Sequence, residues 1–228
     1  MKNIQLKKVE SMMTNSSLYG WFSIFFFIIF TLVSWMVWTN FDSWIKLEEK
    51  INTHFNSFYG QPEMTYSDGL GNGILTFLVT YGSAPFLSTL TVLIAIFFFF
   101  KGEFLIGFWF VGVISSGGIF GIVLKNLFKR KRPYNHLSVE TGFSFPSGHA
   151  IASTLFFWSL ILVFFPRIES MMIRVPLTIA ALLAWLAILY SRLYFHAHHL
   201  GDLIVGASYG IFWVMNAIMI YQCFILFL

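Results

Sequence analysis

Six long apolar runs constrain the fold of this chain more than any other feature of its 228 residues. A helix needs about 20 apolar residues to cross the hydrocarbon core of a bilayer, where an unpaired backbone group finds no partner. The runs occupy residues 19–39, 74–100, 104–124, 150–165, 175–190 and 203–221. Because 57% of the residues are hydrophobic and only 11% are charged, an ordinary soluble domain is excluded. The sequence predicts an all-α, six-transmembrane helix bundle that forms a single integral membrane domain over residues 1–228.

A short interfacial helix is predicted between the first two spans. The first run is too long for a signal-peptide core and lacks a small-residue cleavage site, so it is expected to remain as a membrane helix. Residues 40–73, which follow it, are net acidic and contain apolar residues at helical spacing. These residues are Phe41, Trp44, Ile45, Ile51, Phe55, Phe58 and Tyr59. The spacing indicates an amphipathic helix in the membrane interface, with a partly ordered loop as the alternative.

Six spans also predict the orientation of the chain. They place both termini on one side of the membrane and the polar stretches 125–146 and 191–202 together on the other. Cations that favour a cytoplasmic position for the first side are Lys2, Lys7, Lys8, Lys101, Arg167 and Arg174. The polar stretches would then face the extracytoplasmic side of a cell membrane.

A basic segment over residues 125–149 lies between the third and fourth spans. Five of its first eight residues are cations, a costly concentration at a membrane edge unless headgroups, phosphate or water surround it. Phosphate or an anionic lipid is therefore favoured as the partner over nucleic acid, because no nucleic-acid-binding module is recognisable. The neighbours Lys129, Arg130 and Lys131 are expected to face headgroups or solvent.

The first cluster of candidate site residues is Lys125 with Arg132 and Pro133, spaced K-x6-RP. Seven residues correspond to about two turns of an α-helix. If the helix continues to Pro133, which would end it, both cations project from the same side.

The second cluster begins the fourth span. Ser147 is a candidate N-cap, Gly148 permits a close approach, and His149 follows. The first turn of a helix presents N–H groups and a positive dipole end to a bound anion. An anion-binding helix N-terminus is therefore predicted here.

The third cluster is Ser191, Arg192, His198 and Asp202. On a helix a carboxylate four residues after a histidine can accept a hydrogen bond from one imidazole nitrogen and leave the other as a nucleophile. Ser191 has no base placed beside it in the motif, so it is expected to donate a hydrogen bond to the phosphate loop.

Together the clusters suit phosphoryl transfer by electrostatic stabilisation, without a metal or another cofactor. The density of histidines admits a metal site, formed from His136, His196 and His199. No acidic or cysteine partner stands at metal-site spacing nearby, so no metal is predicted.

The three clusters resemble, in order and in spacing, the three motifs of the type 2 phosphatidic acid phosphatase superfamily. By that resemblance His198 attacks phosphorus and forms a phosphohistidine, while Asp202 holds its tautomer. His149 protonates the leaving oxygen and then activates water. Phosphate-binding groups implied by the resemblance are Lys125, Arg132, Ser147, Gly148 and Arg192.

One tripeptide departs from the usual family pattern. Members often have an aromatic residue followed by Pro-Ser or Leu-Ser before the aspartate, whereas this chain has His199, Leu200 and Gly201. The spacing from His198 to Asp202 is intact, so only a minor contact is expected to differ.

The resemblance predicts a lipid phosphatase whose substrate is a membrane lipid phosphate or diphosphate. Undecaprenyl diphosphate and phosphatidylglycerol phosphate, substrates of compact bacterial members, both remain open at this point. So do two alternatives: a phosphotransferase that shares the first step, and a non-catalytic protein that binds or transports a lipid through its headgroup.

Overall fold

The computed structural model describes residues 2–137 and 141–227, with side chains from residue 16 to residue 224 within those ranges. The side chains of Lys2, Lys7 and Lys8, used above for orientation, lie outside this part. Within it every regular element is helical, which confirms the all-α class. The α-helices are α1 (Lys2–Trp38), α2 (Asp42–Tyr59), α3 (Gly69–Tyr81), α4 (Ala84–Phe100), α5 (Phe104–Phe128), α6 (Gly148–Ser159), α7 (Met171–Tyr194) and α8 (Leu200–Phe227). A π-helical turn, Leu160–Phe164, and a 3₁₀ turn, Phe165–Arg167, extend α6.

Five helical segments in the described residues are long and apolar enough to cross a membrane. They are Ser16–Trp38, Phe104–Phe128, Gly148–Arg167, Met171–Tyr194 and Leu200–Phe224. The chain is therefore a multi-pass membrane protein. A sixth span results only if α3 and α4, which meet at an angle of 62°, are counted as one broken span, so the count of six stays a prediction.

The bend between α3 and α4 has a local cause. Pro85 lies in the first turn of α4, where its missing N–H is tolerated but where it cannot extend a preceding helix. Gly82 follows the last residue of α3, and a Cβ there would meet the carbonyl oxygen of Leu78 and lie 2.7 Å from Cδ1 of Ile188. The glycine lets the bend pack directly against α7.

The core lies between α4, α5, α6 and α8, around Phe98, Phe110, Leu155 and Tyr209. Close contact between α6 and α8 depends on Gly206, because a Cβ there would lie 2.7 Å from that of Ala150. The amino-terminal ends of α6 and α8 are thereby held side by side, and both carry site residues.

The helix predicted between the first two spans is present as α2, although its position in a membrane interface stays a prediction. Its inward side is polar: Glu48, Asn52 and Asn56, at four-residue intervals, contact the segments on either side of the site. The molecule thus has a site end, formed by α2 and the loops after α5 and α7. At the opposite end the loops after α4 and α6 approach each other through Glu103 and Arg167.

Candidate active site

The loop after α5 corrects the expected course of the first motif. A shared helix face required the helix to continue to Pro133, and this condition is not met, because α5 ends at Phe128 and Lys129 adopts a left-handed conformation with φ of 49°. The residue before a proline is disfavoured in the helical region, so Arg132 is reached through non-helical backbone. Lys125 stays in the last turn of α5, where its Nζ donates to the carbonyl oxygen of Phe143 at 2.9 Å.

Arg132 connects the first motif to the third. Its Nη1 donates to the carbonyl oxygen of Ala197 at 2.7 Å, and its Nη2 and Nε donate to those of Thr141 and Gly142. One guanidinium thus fixes the loop after α5 against the loop after α7. The two cations of the first motif are brought to the same site by the tertiary fold rather than by a shared helix face.

His198 and Asp202 form the expected buried pair, although they do not share a helix, because α8 begins at Leu200 and His198 precedes it. Nδ1 of His198 lies 3.4 Å from Oδ2 of Asp202, and Nη1 of Arg132 lies 3.4 Å from Nε2 of the same ring. A guanidinium can only donate, so Nε2 must present its lone pair and Nδ1 must carry the proton. This tautomer leaves Nε2 as the nucleophilic atom.

Burial keeps His198 neutral. The pKa of His198 is lowered to about 4, chiefly by removal from water; Asp202 opposes this shift, and the charges of Arg192 and Arg132 add to it. The imidazole is therefore neutral at pH 7, with one nitrogen free of a proton, which is the state that a nucleophile requires.

The start of α6 adjoins this pair. Ser147 is the N-cap, as predicted, and its Oγ accepts from the N–H of Ala150 at 3.4 Å. The N–H of Ser147 donates to the carbonyl oxygen of Asp202 at 3.1 Å. The helix N-terminus is therefore next to the first turn of α8.

The other predicted residues lie at the same end of the molecule. Arg192 is fully buried in the last turn of α7, and its carbonyl oxygen accepts from the N–H groups of Ala197 and His198. His149 is in the first turn of α6, and its Nε2 lies 3.2 Å from the carbonyl oxygen of Val79 in α3. Ser191 differs from expectation: its hydroxyl donates within its own helix, to the carbonyl oxygen of Ile188 at 2.6 Å.

An apolar groove of about 420 Å³ leads from this end of the molecule between α4, α5 and α6. Lys125, Pro146 and Gly148 line it together with Ile114, Gly118 and other apolar residues of the membrane helices. The groove therefore joins part of the site to the lipid-facing surface.

Arg130 is the residue that sequence reasoning missed. The expectation that it faces headgroups or solvent was wrong, because its guanidinium forms ion pairs with Glu48 and Asp202, which are both buried. Lys129 and Lys131 are exposed, as expected. The available signal was the polar stripe of α2, whose acid and asparagines at four-residue intervals require partners if that side is buried.

The histidines considered for a metal site have separate surroundings. Nδ1 of His196 lies 3.1 Å from Oδ1 of Asn52, and its Nε2 lies 2.8 Å from the carbonyl oxygen of Gly60. Nδ1 of His136 lies 2.7 Å from the carbonyl oxygen of Pro133. Among the side chains that the structure describes, in residues 16–137 and 141–224, no three of His, Cys, Asp or Glu form a group that could hold a metal ion.

Comparison with known proteins identifies the family. A model of the PAP2 superfamily matches residues 106–224, a range that contains all three motifs. The chain therefore belongs to the PAP2 superfamily, as its motifs predicted, and this assignment supports a membrane phosphatase.

Two relatives extend the comparison. Phosphatidylglycerophosphatase B of Bacillus subtilis (strain 168) is 29% identical over 147 residues, which cover 61% of this chain and 70% of the relative. The crystal structure of a transmembrane PAP2-type phosphatidylglycerolphosphate phosphatase from Bacillus subtilis matches with a TM-score of 0.70 at 22% identity. That match covers 86% of this chain and 93% of the other, and it shows the shared fold.

Proposed function

We propose that this protein is an integral membrane lipid phosphatase that works through a phosphohistidine on His198. The observation that carries the proposal is the placement of that residue: a buried imidazole whose Nδ1 lies 3.4 Å from Oδ2 of Asp202 and whose Nε2 lies 3.4 Å from Nη1 of Arg132. A nucleophile oriented by an acid and aimed at a cation is suited to attack a phosphoryl group.

In the first step the lone pair on Nε2 of His198 forms a bond to phosphorus. The bond between phosphorus and the oxygen of the leaving group breaks, and that oxygen takes a proton from His149. The imidazole then carries a positive charge, which the carboxylate of Asp202 stabilises through Nδ1–H.

In the second step water attacks the phosphohistidine. His149, now neutral, accepts a proton from the water as its oxygen bonds to phosphorus, and the phosphorus–nitrogen bond breaks. Inorganic phosphate leaves, and His198 returns to the neutral tautomer in which only Nδ1 is protonated.

Cations would supply the charge stabilisation for both steps. In the proposed complex Lys125, Arg132 and Arg192 bind the phosphoryl oxygens, together with Ser147 and the N–H of Gly148 at the start of α6. Three fixed positive charges and a helix N-terminus can offset the charge of the transferring group, so no metal is needed in this mechanism.

The groove between α4, α5 and α6 supports a substrate with a lipid tail. Its lining includes Lys125 and Gly148 at one end and apolar side chains farther along, so a phosphate can enter the site while acyl chains stay in lipid. Phosphatidylglycerol phosphate is the substrate we put first, because the similar protein of Bacillus subtilis is a phosphatidylglycerophosphatase. Undecaprenyl diphosphate is the comparator.

The decisive experiment measures phosphate release from each of these two lipids by the detergent-purified protein in the presence of EDTA. We expect release that survives EDTA and disappears in His198→Ala and His149→Ala variants, with inhibition by vanadate, a mimic of five-coordinate phosphorus. Loss of release in EDTA that a divalent cation restores would overturn the metal-free mechanism. A phosphorylated lipid acceptor in place of free phosphate would indicate a transferase, and full function of His198→Ala would indicate a binding protein.

We also propose that the site faces the extracytoplasmic side, because Lys101, Arg167 and Arg174 lie in segments of the opposite end. In a Cys223→Ser background, a membrane-impermeant maleimide should label Tyr134→Cys in intact cells and should not label Lys101→Cys until the cells are opened. The reverse pattern would invert the orientation.

A further inference from the structure

Arg130 joins two buried carboxylates that are far apart in the sequence. Its Nη1 lies 2.8 Å from Oδ1 of Asp202 in α8 and 3.2 Å from Oε1 of Glu48 in α2, and its Nη2 pairs with Oε2 of Glu48. The carboxylates are 0% and 1% exposed, and the arginine side chain is 14% exposed. A pair this well buried is far less screened by water than a surface ion pair.

The two oxygens of Asp202 have different partners. Oδ1 accepts from Arg130, whereas Oδ2 lies 3.4 Å from Nδ1 of His198 and accepts from the N–H of His199 at 3.0 Å. Because Arg130 holds one oxygen, rotation of the carboxylate is restricted and the other oxygen stays directed at His198. Arg130 therefore affects the orientation of His198 through Asp202, and it does not itself bind the phosphoryl group.

Glu48 fixes the arginine and the beginning of α8 at the same time. Its Oε1 also accepts from the N–H of Gly201 at 2.9 Å. A Cβ at position 201 would lie 2.7 Å from that oxygen and 3.1 Å from Nε1 of Trp44, so a side chain there would displace the carboxylate of Glu48. Gly201, which departs from the family pattern, is thus the residue of α8 that Glu48 contacts.

We propose that Arg130 and Glu48 are positioning residues for the reaction: Arg130 holds the carboxylate of Asp202 against His198, and Glu48 holds Arg130. Glu48 also offsets the charge of Arg130, so the group of three keeps one net negative charge beside the imidazole, which becomes positive when phosphorylated. The inference deepens the proposed function and rests on it, and it assigns to α2 a role in the site.

The first test uses Arg130→Gln and Glu48→Gln, with Lys131→Gln as the matched control because Lys131 is the exposed cation next to Arg130. Loss of a partner that orients a metal ligand typically costs about 10- to 100-fold in activity, and a partner that orients a nucleophile acts in the same geometric way. We expect a fall of that size in kcat for Arg130→Gln, a smaller fall for Glu48→Gln, and KM within about two-fold of wild type. Arg130→Lys should recover part of the loss. Wild-type kcat in Arg130→Gln would overturn the proposal.

A double-mutant cycle separates positioning from a general structural role. If Arg130 acts through Asp202, Arg130→Gln should have almost no further effect on kcat in an Asp202→Asn background, measured with a ³²P-labelled lipid. A merely structural arginine would lower kcat by the same factor in both backgrounds, and that result would overturn the assignment.

A third measurement does not depend on turnover. In protein labelled with ¹⁵N-histidine, His198, assigned with His198→Gln, should carry its proton on Nδ1 in both wild type and Arg130→Gln because Arg132 faces Nε2. The Nδ1–H signal should shift in Arg130→Gln, because the carboxylate of Asp202 is no longer held against that atom. Arg130→Lys and Glu48→Gln serve in its place if Arg130→Gln does not fold. An unchanged Nδ1–H signal would overturn the positioning role even if the lipids tested are not substrates, whereas absent phosphate release with the expected shift of that signal would count against the proposed function alone.

Discussion

The two ends of the molecule each contain a contact between an acidic residue and an arginine, and the contacts differ in burial. At the opposite end, Nε of Arg167 lies 3.7 Å from Oε2 of Glu103, and the two side chains are 38% and 46% exposed. At the site end, Arg130 lies between Glu48 and Asp202, which are almost fully inaccessible. An exposed pair contributes about 0–1 kcal/mol, whereas removing one partner of a buried pair costs about 3–5 kcal/mol because a charge is left uncompensated.

The connections between helices also differ between the two ends. Short turns close the opposite end, and the chain passes directly from one helix to the next. At the site end, the loop between α5 and α6 is longer, and in its described residues, 129–137 and 141–147, polar groups bond to distant segments, as Arg132 does to Ala197. Buried charge is thus concentrated where the proposed chemistry occurs.

The largest difference between the ends should appear when Asp202 is replaced. Asp202→Asn keeps the shape of the side chain but removes the charge that stabilises His198 once it is phosphorylated, so we expect kcat to fall by about 10³-fold with little change in substrate binding. Glu103→Gln at the opposite end is the control and should retain full activity. Equal rates in both variants would contradict the orienting role of Asp202.

The groove allows the comparison to be extended along α5. A Cβ at either Gly118 or Gly112 meets nothing within 4 Å, but Gly118 lines the groove beside Lys125, whereas Gly112, nearer the opposite end, lines a separate pocket with Trp109 and Trp213. Gly118→Phe should lower kcat/KM for a long-chain substrate by roughly 10-fold, and Gly112→Phe by less than about two-fold.

A water-soluble phosphate ester is the internal control for the groove, because it has no tail to accommodate. Its turnover should be similar in both variants. Equal losses of lipid turnover in Gly118→Phe and Gly112→Phe would indicate that the tail enters elsewhere.

Thermal stability should also distinguish the two ion pairs. Glu48→Gln leaves the charge of Arg130 less well compensated in a buried position, and a loss of about 3 kcal/mol corresponds to a decrease in Tm of about 6–12 °C for a chain of this size. Glu103→Gln should lower Tm by no more than about 2 °C. Thermal unfolding in detergent, monitored by circular dichroism, measures both values. Similar decreases in Tm would contradict the difference in burial between the two ion pairs.

The smallest expected effect concerns pH. Because burial lowers the pKa of His198 to about 4, from the ordinary value of about 6.5, the neutral nucleophile persists as the pH falls and is lost only near pH 4. After correction for titration of the substrate phosphate, kcat/KM should change by less than about two-fold between pH 7 and 5.5 on account of this group. An acid limb centred near pH 6.5 would show that His198 is not shielded from water.

Much of this arrangement could be predicted because it is local in the sequence. Apolar runs of sufficient length predicted the membrane helices, the four-residue interval predicted the contact between His198 and Asp202, and the position of Ser147 predicted a cap. The hydroxyl of Ser191 was assigned the wrong partner because a carbonyl oxygen in its own helix, that of Ile188, was already within reach.

The sequence by itself determined the helices, the class of chemistry and the order of the motifs, since these depend on periodicity and spacing over a few turns. Only the tertiary structure decided where α5 ends and which of three consecutive cations is buried. Lys129, Arg130 and Lys131 look alike in the sequence, yet Arg130 alone of these three pairs with carboxylates that are 82 and 72 residues away. A buried charge requires an opposite charge beside it, and such a partner can come from any part of the chain, so its identity is fixed only when the helices pack.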